Sequence, residues 1–210
     1  MTFTENQLEL LRQRVKRTLS DFRFSHTLGV ERMAARLARL YCPEKESFLR
    51  AAALLHDVTK ENGFDEQMKI FERYGEMPTD EQKAVPPTLH ALTAALVIPD
   101  EFPEFANGEL VNAVRYHSTG RENMTLSEKI LFLSDYIEDT RTFEDCIALR
   151  EEFFEAEPEK MSDAARMEHL NRVLLHAIEL TVEELLEKGK IIESNTLRAK
   201  ESLLRELNRK

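Results

Sequence analysis

Periodicity limits the fold of this chain more than any other feature. Apolar residues recur at three- and four-residue spacings through almost the whole sequence, and no run of alternating β-branched residues is found. The first pattern lays a stripe along a helix; a half-buried strand needs the second. Helices are predicted near 5–19, 24–41, 45–60, 64–74, 88–98, 108–117, 125–139, 143–156, 163–188 and 193–208. Breakers separate them: "CPEKE", "GEMPTDEQKAVPP", "IPDEFPEFANGE" and "STGRENM". Thr125 and Glu128 have capping-box spacing, and Gly189 stands where a C-terminal cap belongs. The fold class is all-α, a compact multi-helix bundle.

At 210 residues the chain fits one domain able to bury a full core. No stretch approaches the length and apolarity of a membrane span, and the start, "MTFTENQLELLRQRVKR", reads as an amphipathic helix and not as an export signal. Cys42 and Cys146 lie far apart, in no metal-ligand spacing, which suits two incidental thiols in a reduced, cytoplasmic protein. A net charge of −10 argues against a nucleic-acid partner, whose backbone rewards dense basic patches. A small phosphorylated ligand is compatible with it, provided a metal or a few placed bases supply local positive charge.

Polar residues interrupt this apolar pattern at particular places. "RAAALLHDVTKE" runs an alanine- and leucine-rich helix into His56 and Asp57. His26 begins a stripe with Val30, Met33 and Leu37; His90 shares one with Ala94 and Val97; Leu110, Ala113 and Val114 lead to His117. Asp135 falls one turn after Leu131 in "KILFLSDYIED". An ionised carboxylate buried without a partner costs several kcal/mol or more. Each residue could be satisfied by its own local hydrogen bonds. Four inward imidazoles and two inward carboxylates, however, would then need separate partners in one small core, whereas a single divalent cation serves them together. Imidazole and carboxylate suit iron, manganese or zinc, and no thiolate is at hand. His169 and His176, among charged residues in 163–188, are read as surface or boundary side chains.

The order His26, His56-Asp57, Asp135 on successive helices resembles the metal ligands of the HD-domain phosphohydrolase superfamily. "RFSHTLGVERMAARLA", "AALLHDVTKE", "LHA", "AVRYHSTGRENMTLSEKILFLSDYIEDTR" and "LLEKGKIIESNTLRAKESLL" resemble the YqeK family, bacterial HD-domain hydrolases that split diadenosine tetraphosphate symmetrically into two ADP. The likeness covers roughly residues 20 to 205. It implies a single HD domain over 1–210, with a core of about 20–190 flanked by amphipathic terminal helices. Two positions depart from the family pattern: Asp139 where a proline is expected, and Ser118 where threonine is more usual. Neither is an expected ligand. The acidic 143–168 stretch is less typical and could alter specificity or oligomerisation.

Carried over position by position, the resemblance implies that His26, His56, Asp57 and Asp135 bind a first metal, with iron suggested. His90 and His117 would hold a second metal bridged by Asp57, or donate to substrate phosphate in a site with one ion. Asp57 and Lys60 are the expected catalytic residues, and Ser118, Arg121 and Arg141 the expected substrate contacts. A metal-lowered water pKa supplies the nucleophile for a phosphoanhydride whose own charge repels attack. Other readings of the same residues are a nucleoside monophosphate phosphatase, a cyclic-nucleotide phosphodiesterase, a non-catalytic nucleotide-sensing module or a di-iron oxygenase. The partner is a small dinucleotide or nucleotide, and the 163–188 and C-terminal helices could pack against a second copy.

Overall fold

The computed structural model describes residues 1–208, and among these there are helices and turns but no strand. Every helix read from periodicity is present: α1 (Glu5–Lys16), α2 (Asp21–Tyr41), α3 (Glu46–Leu55), α4 (Phe64–Tyr74), then a short α5 (Asp80–Lys83) the pattern did not reveal, α6 (Leu89–Glu101), α7 (Gly108–Tyr116), α8 (Leu126–Ile137), α9 (Glu144–Glu155), α10 (Asp163–Glu187) and α11 (Ser194–Asn208). Four single 3-10 turns begin at Pro43, Pro86, Pro103 and Pro158. In each, proline presets φ where the missing N–H has no helical partner to lose.

α3 is the hub. Phe48, Leu49 and Ala51 to Leu55 are all buried, so this helix is apolar around most of its girth. Its three consecutive alanines let neighbours come close, and α1, α2, α7 and α8 pack around it. Leu49 and Leu54 are fully enclosed; cutting either to alanine costs about 2–5 kcal/mol. α10 buries Leu170, Val173, Leu174, Ala177 and Ile178 along one stripe against α8, α9 and α11. It ends as expected at Gly189, whose φ of +59° only glycine adopts cheaply; Gly189 and Lys190 N–H groups donate to the Leu186 and Leu185 carbonyls. Thr125 and Glu128 form the expected capping box on α8.

One boundary differs in a way that matters. The 45–60 helix stops at Leu55, and His56 and Asp57 lie in the tight turns that follow. The cause is local: His56 Nδ1 is 2.6 Å from the Ala53 carbonyl and caps the final turn, while the Lys60 N–H folds back onto the Asp57 carbonyl. His117 likewise caps α7 instead of extending it. The second mismatch concerns His169. It is buried against the Phe153 ring, with Nε2 3.0 Å from the Phe153 carbonyl, because α9 covers a face that looks solvated in the sequence. His176 is exposed, as read. Cys42 and Cys146 are free and buried. No helix among the described residues is long and apolar enough to cross a membrane.

Candidate metal centre

The packing around α3 brings five helix ends or near-terminal turns together: the second turn of α2, the first turn of α6, the ends of α3 and α7, and the last turn of α8. His26, His90, His56-Asp57, His117 and Asp135 stand on them in that order of elements. All four imidazoles and Asp57 are buried; Asp135 is partly exposed.

Three of the rings are set by one device. His56, His90 and His117 each place Nδ1 2.6–2.8 Å from the carbonyl three residues earlier, those of Ala53, Pro87 and Val114. A carbonyl only accepts, so Nδ1 carries a proton and Nε2 is the atom each ring aims inward, free to offer its lone pair in the neutral form. His26 is the exception, with Nδ1 3.1 Å from Glu138 Oε1. Glu138 is fully buried and is itself held by the Thr140 N–H and hydroxyl, both at 2.6 Å. Gly29 makes room for it, since a Cβ there would overlap the Glu138 carboxylate.

With His26 deprotonated, as a cation requires, the inward atoms are acceptors facing acceptors. His26 Nε2 lies 3.0 Å from Asp135 Oδ1 and 3.7 Å from Asp57 Oδ2, while His56 Nε2 lies 3.3 Å from the same Asp57 oxygen. The other oxygen, Asp57 Oδ1, faces His90 Nε2 at 3.1 Å and His117 Nε2 at 3.8 Å, and those two nitrogens are 3.1 Å apart. Asp57 thus divides its oxygens between two groups of ligands. The Nε2 atoms of His26 and His56 are buried with no hydrogen-bond partner. Converging lone pairs and carboxylates repel unless a cation lies among them, and the donor set is one that suits a hard to borderline divalent metal. The residues present fit such an ion, and three overlapping clusters have metal-ligand spacing: His26-His56-Asp57, His56-His117-Asp135 and Asp57-His90-His117.

The electrostatics agree. Burial pushes His90 down despite the Asp57 carboxylate, and it pushes His117 well down, helped by the neighbouring His56 and His90. For Asp57, burial raises the pKa but His56 and His90 outweigh it and hold the group well below the carboxylate range. Asp135 is likewise raised by burial and drawn well down by Arg141 and His26. His26 behaves differently: burial lowers it, but Asp135 and Glu138 together raise it to about 9. A proton on His26 is therefore the natural competitor of a cation at the first group.

Of the residues expected at the site, all six expected ligands meet. Lys60 sits at the rim, its Nζ 3.3 Å from His90, with its pKa lowered by burial. The Ser118 hydroxyl lies 3.1–3.2 Å from the Nε2 atoms of His90 and His117. Arg141 donates to the Asp135 carbonyl and, at 2.7 Å, to its carboxylate. Arg121 is not brought there. Its guanidinium is bound to buried Glu128 at 3.0 Å and lies over Tyr116, so it braces the α7–α8 loop. Two charged residues were missed: Arg23, 3.0 Å from Asp57 Oδ2, and Glu138. Their signal was spacing alone, since Arg23 precedes His26 by three residues and Glu138 follows Asp135 by three. A Thr59 hydroxyl bonded to the His90 carbonyl, at 2.9 Å, ties the Asp57 turn to α6.

Two clefts open onto this centre. One, of about 430 Å³, runs from Lys60, His117 and Asp135 past Phe132 and Tyr136 toward Leu185. The other, of about 310 Å³, lies between the start of α2 (Phe22, Arg23, His26) and the 138–143 loop. Arg141 and Phe143 border both.

A helical scaffold whose histidines and adjacent His-Asp pair converge in this way defines a class. The chain belongs to the HD-domain family, whose model matches residues 23–140. Among individual proteins, it is 32% identical over 194 residues to a symmetrical bis(5'-nucleosyl)-tetraphosphatase of Halalkalibacterium halodurans, covering 92% of this chain and 95% of that one. A protein of the same name from Bacillus subtilis is 29% identical over 87% of this chain and 89% of its own. A crystal structure from Clostridium acetobutylicum, described as a predicted HD superfamily hydrolase involved in NAD metabolism, superposes with a TM-score of 0.80 at 28% identity, over 98% of this chain and all of that one.

Proposed function

We propose that this protein is a metal-dependent hydrolase that adds water across the middle of diadenosine tetraphosphate and releases two ADP. The observation that carries the reading is the Asp57 carboxylate, with one oxygen turned to His26 and His56 and the other to His90 and His117. Its relatives, matched along nearly their whole length, bear the name of that activity. Residues His26, His56, Asp57 and Asp135 would hold one ion and Asp57, His90 and His117 a second. Iron is the favoured metal, with manganese and zinc also suited to these ligands. A divalent metal bound there supplies a hydroxide nucleophile near neutral pH and neutralises charge on the phosphoryl oxygens.

The protein's own groups do the rest. Glu138 fixes the His26 ring, and the three backbone carbonyls fix the other rings, so ligand geometry is set before substrate arrives. Lys60, Arg23 and Arg141 concentrate positive charge around an otherwise acidic molecule's site, which is what a tetraphosphate needs to approach. Lys60, with its lowered pKa and its place at the rim of the larger cleft, is suited to a leaving phosphate oxygen. Ser118 is placed to donate to a phosphate lying over His90 and His117. The single-domain organisation over 1–210 and a cytoplasmic location, supported by two free buried thiols, belong to the same reading. A homodimer is supported by exposed Leu186, Ile191 and Leu197 at the C-terminal end.

The test is to incubate protein of measured metal content with a panel of nucleotides and resolve the products. ADP alone from diadenosine tetraphosphate is expected. AMP plus ATP, or turnover confined to nucleoside monophosphates or cyclic nucleotides, would overturn the assignment.

A further inference from the structure

Symmetrical cleavage makes a geometric demand. If the attacked phosphorus lies at the middle of the phosphate chain, a nucleoside must extend to each side of the metal centre. A site reading one nucleoside needs only one cleft. Here two clefts flank the ligands, the larger reaching His117 and Asp135 and the smaller reaching His26. Their volumes, about 430 and 310 Å³, each fall within the range of small-molecule sites, roughly 300–1,000 Å³.

The smaller cleft has an unusual lip. Phe22 is 80% exposed and Phe143 is 69% exposed, and both line it. Among the described residues Phe64, at 46%, is the one other exposed phenylalanine, and the rest of this residue type is drawn inward. Isolated exposed apolar residues need no explanation, but two phenylalanines on one cleft beside Arg23 and Arg141 match what a nucleotide requires. Aromatic faces stack on a base, and guanidinium groups meet its phosphates. Phe22 lies one residue from Arg23 and one helical turn from His26, so a base against it is connected to the metal centre by the length of a short phosphate chain.

We infer that the 310 Å³ cleft between the start of α2 and the 138–143 loop is the seat of the second nucleoside, whose base stacks on Phe22 and Phe143 while the first nucleoside occupies the larger cleft. The assignment rests on the proposed tetraphosphate hydrolysis and deepens it. It makes Phe22 a specificity residue: it selects substrates with a nucleoside at both ends over those with one, without touching the reacting atoms.

The experiment compares kcat/KM for diadenosine tetraphosphate with that for adenosine 5'-tetraphosphate, which has four phosphates and a single nucleoside. Wild type, Phe22→Ala and Phe22→Tyr are each assayed at measured metal content and equal helical content. Phe22→Ala is expected to lower the ratio of the two constants on the order of tenfold, chiefly through KM for the dinucleotide, and Phe22→Tyr to restore it. An unchanged ratio in Phe22→Ala, or an equal loss on both substrates, overturns the second-nucleoside assignment while leaving the hydrolase reading intact. A wild-type protein that turns over neither compound refutes the hydrolase reading itself, and the cleft assignment with it.

Discussion

Metal loading should displace the proton held on His26. With Asp135 and Glu138 holding this imidazole at about 9, it is protonated at neutral pH in the metal-free protein and must lose that proton to ligate. His90 and His117 are already neutral because they are shifted down, and Asp57 and Asp135 are already ionised. Each pH unit below the pKa then costs tenfold in affinity. At pH 7 the penalty is about 100-fold, ~2.7 kcal/mol, and between pH 6 and pH 8 apparent affinity should rise about 100-fold. A histidine at the ordinary 6.5 would give only about a fourfold rise over that interval. Chelator competition with manganese across pH 6–8 measures the slope, and calorimetry in buffers of different ionisation enthalpy counts the proton. Glu138→Gln, which removes one of the two raising carboxylates, should flatten the slope. A wild-type affinity rising no more than about fourfold over those two units would refute the assignment of His26 as a carboxylate-raised ligand.

Other outcomes follow from the same geometry. Asp57→Ala should abolish both metal retention and turnover while circular dichroism shows helical content largely intact, because it removes ligands from both groups at once. Gly29→Ala should drive Glu138 from its place, lowering thermal stability and metal affinity together, the latter by about 10–100-fold as is usual for a lost supporting partner. Arg121→Ala should leave KM for the dinucleotide near wild type but cost about 1–3 kcal/mol in denaturant unfolding, since it takes the guanidinium away from the buried Glu128 carboxylate. Metal-free protein should be most stable near pH 6.5. Below that value unfolding exposes His90 and His117 to protonation that the folded state resists, so stability falls with pH. Above it the folded state holds the His26 proton more tightly than the unfolded chain, so stability declines as pH rises toward about 9. Thermal melts in chelator across pH 5–9 check both limbs.

Much of the fold was legible because a helix period is a local property, repeated along every element. Helix ends were less so. The 45–60 pattern continues past Leu55, but the hydrogen bond from His56 to Ala53 ends the helix there, and no periodicity encodes it. The six converging candidates were legible as polar residues on apolar stripes, a contradiction that burial makes expensive. Arg23 and Glu138 carried no such contradiction, since charged residues near helix ends are ordinary; only the tertiary approach of α2 to the Asp57 turn and to the 138–143 loop gives them a role. His169 failed in the opposite sense, its burial supplied by Phe153 of α9. Arg121 lay close in sequence to ligand-bearing segments, but Glu128 draws it away from the centre. The acidic 143–168 stretch proved to include part of the larger cleft's wall, at Phe143, Asp145 and Cys146.

The central claim is that water enters the middle of the tetraphosphate. Hydrolysis of diadenosine tetraphosphate by the metal-loaded protein in oxygen-18 water tests it most directly, with products resolved by mass spectrometry. ADP is expected as the sole nucleotide product, half of it carrying one heavy oxygen in its β-phosphate and half carrying none. Label in AMP or ATP, or ADP formed without incorporation, would contradict it.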